Sequence, residues 1–132
     1  MKQVTVVAQD KVGVIADISF ILGSAKINIE SILAVSSDGK AIITLLLKDG
    51  EKAVRLLKSN GYHVLESEVF LIRLKDEPGA LSRVSSLLGE KKVNIASLYV
   101  VARDRGYSIV ALKVDKPRKA KRLLAPCLKI DE

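Results

Sequence analysis

The sequence predicts an α+β fold in which a unit with the element order β-α-β-β-α-β occurs twice. Three observations carry this prediction. Sliding the chain on itself by 66 residues aligns residues 4–64 with residues 70–130 without a gap. Apolar residues alternate in the segments predicted as strands and recur at helical spacing in those predicted as helices. A loop containing glycine precedes the first helix of both copies, as Asp10-Lys11-Val12-Gly13 and as Asp76-Glu77-Pro78-Gly79.

The first copy begins with a strand, a loop, a helix and a second strand. The β-branched run Val4-Thr5-Val6-Val7 favours a strand over residues 2–8. After the glycine, apolar residues at positions 15, 18 and 22 form one face of a helix that is predicted to end near Lys26. Alternating residues over 29–35 predict the second strand.

The first copy continues through a hairpin turn, which the Asp38-Gly39 pair predicts. The run over residues 41–47 predicts a central strand, because it is apolar on both faces. A helix follows over residues 50–60, and Gly61 is suited to end it in a left-handed conformation. Residues 62–65 return as the fourth strand.

The second copy repeats this order. Pro78 is expected in the first turn of its first helix, where a missing N–H costs little, and Cys127 is expected in its last strand. We predict two domains, residues 1–66 and residues 67–132. The element order is that of the split βαβ, ferredoxin-like arrangement, in which two helices cover one face of a four-stranded antiparallel sheet.

The composition is that of a globular chain. Of the 132 residues, 48% are hydrophobic and 28% are charged, which excludes a disordered chain. No apolar run reaches the roughly 18 residues of a membrane span, and the N-terminus leads into a strand pattern without a signal peptide. A single cysteine excludes an internal disulfide. We therefore expect a cytoplasmic protein with no membrane association.

The formal net charge of +7 is concentrated in the second half of the chain, above all in residues 116–122. This segment predicts either a patch for phosphate, nucleic acid or an acidic partner, or the solvated face of a surface helix. The solvated face is the favoured interpretation. Nucleic-acid binding is disfavoured because RNA-recognition modules stack bases on sheet aromatics, and the strands here offer few aromatic side chains beyond Tyr99 and Tyr107.

The sequence gives no support for catalysis. The one histidine, His63, and the one cysteine, Cys127, have no partners at the spacing of a zinc site. No phosphate-binding loop of the G-x-x-x-x-G-K type occurs, and no catalytic triad is indicated. We therefore expect a protein that is not an enzyme and that needs no metal and no cofactor.

The loop, helix and following strand together resemble the ACT domain, a family of small ferredoxin-like modules that bind amino acids and regulate metabolic enzymes. The D-x-P-G-x-L pattern of that family stands at residues 76–81 and is followed by Asn94-Ile95. Its first copy stands at residues 10–15 and is followed by Asn28-Ile29. The chain is thus similar to a tandem pair of ACT domains.

The resemblance implies ligand sites between modules, each against the first loop and the start of the second strand. It implies that one site is lined by Asp10, Val12, Gly13, Val14, Asn28 and Ile29. It implies that the other is lined by Asp76, Pro78, Gly79, Ala80, Asn94 and Ile95.

The residue types suit these roles. Glycine permits close backbone approach and a positive φ, and free N–H groups at a helix start suit a ligand carboxylate. Asparagine can hold an ammonium and a carboxylate at once, or it can fix the turn before the strand. The two aspartates could attract an ammonium or cap the turn.

The chain departs from the family pattern in two ways. Val12 stands where the family usually has proline. Lys26 and Lys92 stand where the family often has a glycine at the end of the helix. A lysine in the left-handed region costs on the order of 1 kcal/mol.

The leading hypothesis is a free-standing regulatory protein, expected as a homodimer. It would bind a small amino acid at ACT–ACT interfaces and modulate a metabolic enzyme or regulator. The alternative is a dimerisation module without a ligand.

Overall fold

The computed structural model describes residues 1–127, which divide into two compact units between Glu68 and Val69. The elements of the first unit are β1 (Lys2–Gln9), α1 (Val14–Ser24), β2 (Ile29–Ser37), β3 (Lys40–Leu47), α2 (Gly50–Ser59) and β4 (His63–Glu68). Those of the second are β5 (Phe70–Lys75), α3 (Ala80–Glu90), β6 (Ile95–Asp104), β7 (Tyr107–Val114) and α4 (Pro117–Leu123).

The predicted element order is confirmed from β1 to α4. A short 3-10 helix, Ala125–Cys127, follows α4, so the expectation that Cys127 lies in a strand is wrong. The fourth strand predicted for the second copy falls outside the described residues. No helix within residues 1–127 combines the length and the apolar character that a membrane crossing requires.

The sheet of the first unit has the strand order β2-β3-β1-β4, with all neighbours antiparallel. The described strands of the second unit have the order β5-β7-β6. Among the strands described within residues 1–127, β2 and β6 therefore each form one edge of a sheet. Both edge strands start with the same irregularity, a register shift between Ile29 and Ser31 and between Ile95 and Ser97.

The core of each unit lies between the helices and one face of the sheet. Val4 and Val6 of β1 are buried against Ile18 and Leu22 of α1. These residues recur at periods of two on the strand and of three to four on the helix, so both elements present one apolar face. The second unit repeats this packing with the buried residues Ile72, Val84, Leu88, Val110 and Leu112.

The gap-free alignment of the two copies is wrong beyond Val100, within β6. Val4 lies opposite Leu45 in the first sheet, and Phe70 lies opposite Leu112 in the second. Phe70 follows Val4 by 66 residues, whereas Leu112 follows Leu45 by 67. The second copy therefore contains one extra residue before β7.

The extra residue is accommodated by a β-bulge in β6. Val100 pairs with Val110 and Ala102 pairs with Ile109, so Val101 has no position of its own in the ladder. A bulge of this kind keeps the following side chains on their original faces, because a one-residue slip would turn each of them over. The offset of 67 then continues to α4, where Ala120 and Leu124 are buried like Ala53 and Leu57.

The first helix of each unit ends in a Schellman motif. The N–H of Ile27 donates to the carbonyl of Leu22 at 2.9 Å, and the N–H of Lys26 donates to that of Gly23 at 2.9 Å. The residue in the left-handed conformation is Lys26, with φ 60°, and its counterpart Lys92 has φ 61°. The helices thus end two residues before the predicted position, and both lysines carry the expected backbone strain.

The strain at Lys92 predicts that glycine at this position stabilises the protein. We expect Lys92→Gly to raise the free energy of unfolding by about 0.5–1 kcal/mol, because glycine adopts positive φ without the Cβ clash. Chemical denaturation measures this change. Lys91→Gly is the matched control, because Lys91 has φ −94° and gains nothing from glycine. Equal destabilisation by both substitutions would contradict the expectation.

Candidate functional site

The loop before the first helix of each unit depends on a glycine in the left-handed region. Gly13 has φ 94° and ψ −3°, and Gly79 has φ 88° and ψ −10°. In the second unit the N–H of Ala80 donates to the carbonyl of Glu77 at 3.3 Å. Pro78 and Gly79 then occupy the central positions of a type II turn, which requires positive φ at the second of them. The prediction that Pro78 lies in the first helical turn is wrong, because α3 begins at Ala80.

Each loop borders a concave cavity on the helix side of its sheet. The first cavity has a volume of about 340 Å³ and the second about 300 Å³. Both lie at the low end of the range of about 300–1,000 Å³ for small-molecule sites. The first is lined by Asp10, Lys11, Gly13, Val14, Ile15, Ala16, Ala34, Val35, Ser36, Ala41 and Ile43. The second is lined by Leu74, Lys75, Asp76, Glu77, Pro78, Gly79, Ala80, Leu81, Ser82, Val100, Arg103, Ser108 and Val110.

The loop residues expected at the sites fall into these cavities with one exception. Three of the four loop residues of the first copy line the first cavity, and all four of the second copy line the second cavity. The exception is Val12, whose side chain is fully exposed at the tip of its loop. The residues that line the cavities are Asp10, Gly13, Val14, Asp76, Pro78, Gly79 and Ala80.

The strand residues expected at the sites lie elsewhere. Asn28 and Ile29 stand at the start of β2, whereas the first cavity adjoins the end of that strand near Ser36. About seven strand residues, or roughly 20 Å, separate the two positions. Asn94 and Ile95 stand in the same relation to the second cavity. Within one unit, therefore, the loop and the asparagine are not brought together.

Both asparagines are engaged in local contacts at the start of their strand. The side-chain amide of Asn28 donates to a carboxylate oxygen of Glu30 at 2.8 Å. The backbone N–H of Asn94 donates to Oδ1 of Asp115 at 2.9 Å, and the N–H of Asp115 donates back to the carbonyl of Asn94 at 3.1 Å. The contact of Asn28 supports a role of its side chain in fixing the turn before the strand, whereas the contacts of Asn94 are made by its backbone.

The two loop aspartates bind the edge strand and its hairpin. The N–H of Asp10 donates to the carbonyl of Gly39 at 3.0 Å, and the N–H of Asp76 donates to that of Gly106 at 2.8 Å. The hydroxyl of Ser36 donates to the carboxylate of Asp10. The helix N-caps are glycines without a side-chain capping bond. The aspartates therefore hold the loop against β2 and β6, and neither of them caps the helix that follows.

In the second unit the partner of the aspartate is charged. Nε of Arg103 lies 3.2 Å from Oδ2 of Asp76. Sequence reasoning missed both Ser36 and Arg103, because their meeting with the aspartates depends on the register of a hairpin. The sequence signal that could have located them is the hairpin glycines, Gly39 and Gly106. The carbonyls of these glycines accept the N–H groups of Asp10 and Asp76, so each hairpin lies beside its loop.

The arrangement presents opposite charges to a small ligand. The N–H groups of the first helical turn point out of the helix without an intrahelical acceptor, so they suit a carboxylate. A carboxylate side chain stands on the other side of the loop in both units and suits an ammonium. Within residues 1–127 no three His, Cys, Asp or Glu side chains lie close enough together to hold a metal ion.

A tyrosine contact joins α1 to the segment between α2 and β4. The hydroxyl of Tyr62 donates to the carboxylate of Asp17. Burial, followed by this hydrogen bond and the charge of Asp17, raises the pKa of Tyr62 from 10.0 to about 12. Burial also raises the pKa of Tyr99 to about 12.

The sequence itself decides the family. A sequence model of the family described as an ACT domain pair matches residues 1–128. The chain belongs to the ACT domain pair family.

Solved structures share the fold of this ACT domain pair over nearly its whole length. Protein BT0572 from Bacteroides thetaiotaomicron is 23% identical with a TM-score of 0.85, and the match covers 95% of this chain and 86% of that one. The ligand-free regulatory subunit of aspartate kinase from Thermus thermophilus is 13% identical with a TM-score of 0.71, and the match covers 95% of this chain and 91% of that one. The structure of the alpha and beta subunits of an aspartokinase is 16% identical with a TM-score of 0.65, and the match covers 94% of this chain and 90% of that one.

These likenesses establish the fold, and the expected resemblance to a tandem ACT pair is confirmed. No curated protein matches the sequence.

The positive φ of Gly13 predicts that the loop tolerates only glycine without strain. We expect Gly13→Ala to lower the free energy of unfolding by about 1–2 kcal/mol. The matched control is Gly23→Ala within α1, which we expect to raise it by up to about 1 kcal/mol. An added Cβ meets no atom within 4 Å at either position, so the two substitutions differ in backbone conformation alone. Thermal or denaturant unfolding with the same sign for both would refute the prediction.

The raised pKa of Tyr62 predicts a loss of stability in alkali. The fold favours the neutral phenol, so this contribution is complete below pH 10 and disappears as the pH rises from 10 towards 12. In a spectroscopic titration of tyrosinate, Tyr62→Phe should remove one of the late-ionising tyrosines. Asp17→Asn should lower the pKa of Tyr62 only part of the way to 10, since burial is the larger cause. A tyrosine at position 62 that ionises at its ordinary pH would contradict this.

Proposed function

We propose that this ACT domain pair is a free-standing regulatory protein that binds a small amino acid at its glycine loops and modulates a metabolic enzyme. The observation that carries the proposal is the repeated cavity beside each glycine loop, which has a carboxylate on one side and the first turn of a helix on the other. A zwitterionic amino acid carries the complementary ammonium and carboxylate. The volume of each cavity suits a ligand of that size.

The proposal places each ligand at a boundary between ACT modules. Asn28 and Asn94 lie too far from the cavity of their own unit to touch its ligand. A module of a second copy of the chain, paired along the edge strand β2 or β6, would bring the start of its own strand towards the loop. This arrangement makes the protein a homodimer and assigns the asparagines, with Ile29 and Ile95, to the ligand site of the neighbour.

The partner we propose is an enzyme of metabolism. Two of the similar structures are parts of aspartate kinases, one of them a regulatory subunit. In this proposal the chain itself performs no catalysis, binds no cofactor and acts in the cytoplasm. A ligand that binds one arrangement of the module pair more tightly shifts the equilibrium towards it, and the partner enzyme responds to that shift.

A dimerisation module without a ligand is the second candidate. Two observations favour it: the side-chain amide of Asn28 has a local partner, and the edge strand β2 carries the exposed apolar side chains Ile32, Leu33 and Val35. Nucleic-acid binding has less support. The guanidinium of Arg73 lies 3.7 Å from the ring centroid of Tyr107, so it covers one of the two faces on which a base could stack.

Thermal unfolding against the common amino acids at millimolar concentration tests the proposal. A ligand at about 100 times its dissociation constant adds about 2.7 kcal/mol to the stability of the native state. We expect a selective rise of several degrees with one or two amino acids. The absence of any rise would leave the dimerisation module as the better account.

A variant pair locates the binding. Ala34 and Val100 line the first and second cavities on their edge strands. The double variant Ala34→Phe with Val100→Phe fills both cavities, so we expect it to lose the thermal shift. Leu33→Phe is the control, because Leu33 is exposed on the opposite face of β2 and should leave the shift intact. A shift that persists in the double variant would move the ligand away from the loops.

A further inference from the structure

The two cavities differ at the strand residue that faces the loop aspartate. Ser36 lies opposite Ala41, and Ala41 lies opposite Ala8. In the second sheet Arg103 lies opposite Ser108, and Ser108 lies opposite Leu74. Ser36 and Arg103 thus hold the same place in the two sheets. The bulge at Val101 is what sets Arg103 there, since without it the side chain would stand on the opposite face.

Replacement of a hydroxyl by a guanidinium changes what the cavity can bind. Arginine has five N–H donors in a planar fork that matches a carboxylate. Its contact with Asp76 is made through Nε at 3.2 Å. The side chain projects from a strand and lines the cavity together with Ser108. The first cavity has only the neutral Ser36 at this place.

The other charged groups at the cavities do not cancel this difference. The second cavity also contains Lys75 and Glu77, and Glu77 lies 2.9 Å from Nη2 of Arg83. The first cavity contains Lys11, which belongs to the loop and has a flexible, strongly hydrated ammonium. Two carboxylates and two cations therefore border the second cavity. Of the two cavities, only the second has a guanidinium on its edge strand, that of Arg103 on β6, which can bind a further carboxylate.

We propose that Arg103 makes the second cavity selective for an amino acid with a carboxylate side chain, whereas the first cavity prefers a neutral amino acid. This inference rests on the proposed amino-acid binding at the loops. In both cavities the α-carboxylate of the ligand lies at the first helical turn and its ammonium lies at the loop aspartate. The side-chain carboxylate then meets the guanidinium of Arg103 in the second cavity alone.

Backbone amide signals of Gly13 and Gly79 in nuclear magnetic resonance spectra of the full chain report the two cavities separately. The probes are aspartate and glutamate, compared with asparagine and glutamine, which have nearly the same shape without the charge. We expect Gly79 to respond to an acidic amino acid at a concentration at least about tenfold lower than to its amide, as for a charge-assisted bond. Gly13 should show no such preference.

The variant Arg103→Gln should abolish the preference at Gly79 and leave the response of Gly13 unchanged. Arg105→Gln is the matched control. It removes the same charge only two residues further along the chain, and the side chain of Arg105 does not line the cavity. We expect it to retain the preference. A preference that survives Arg103→Gln, or that disappears equally in Arg105→Gln, overturns the role of Arg103.

The outcome also separates this inference from the function on which it rests. If both glycines respond to amino acids but Gly79 does not distinguish acid from amide, the selectivity of the second cavity is refuted and amino-acid binding stands. If no amino acid shifts either glycine at millimolar concentration, both proposals fall.

Discussion

The geometry of each unit depends on one backbone constraint, the left-handed glycine between the first strand and the first helix. The chain must reverse its direction within a few residues so that the helix packs on the strand it has just left. Gly13 and Gly79 make this reversal without a Cβ clash. The same turn places an aspartate beside the edge strand and starts the first helical turn at the border of the cavity. The left-handed glycine therefore determines both the packing of the helix on the sheet and the position of the polar groups at the cavity.

The elements and their order could be predicted from the sequence because burial imposes periodicity. Ile18 and Leu22 had to lie on one helical face, and Val4 and Val6 on one face of a strand. The left-handed lysines were also predictable, since the helix had to stop before a strand and no glycine was present. These features depend on residues that are close together in the sequence.

The contacts at the site could not be predicted, because they depend on register. The bulge at Val101 leaves no clear sign in the sequence, because Val35 and Val101 are identical in the gap-free alignment. Ser36 and Arg103 meet their aspartates only after that register is fixed. The asparagines were identified from the family pattern, and their distance from the loop follows from the length of a strand.

The place of β1 in the sheet has a consequence for folding. The hairpin of β2 and β3 is joined by a two-residue turn, so it can close within about 1–10 μs. By contrast, β1 lies between β3 and β4, and its Val4 pairs with Leu45 and Glu66, both far along the chain. Such long-range pairing bears the larger loop-closure entropy and is expected to form late. Asp10 and its glycine turn extend from the end of β1, so the cavity comes into existence only when the whole unit has assembled. A ligand held there stabilises the complete unit and has nothing to bind in a partly folded chain.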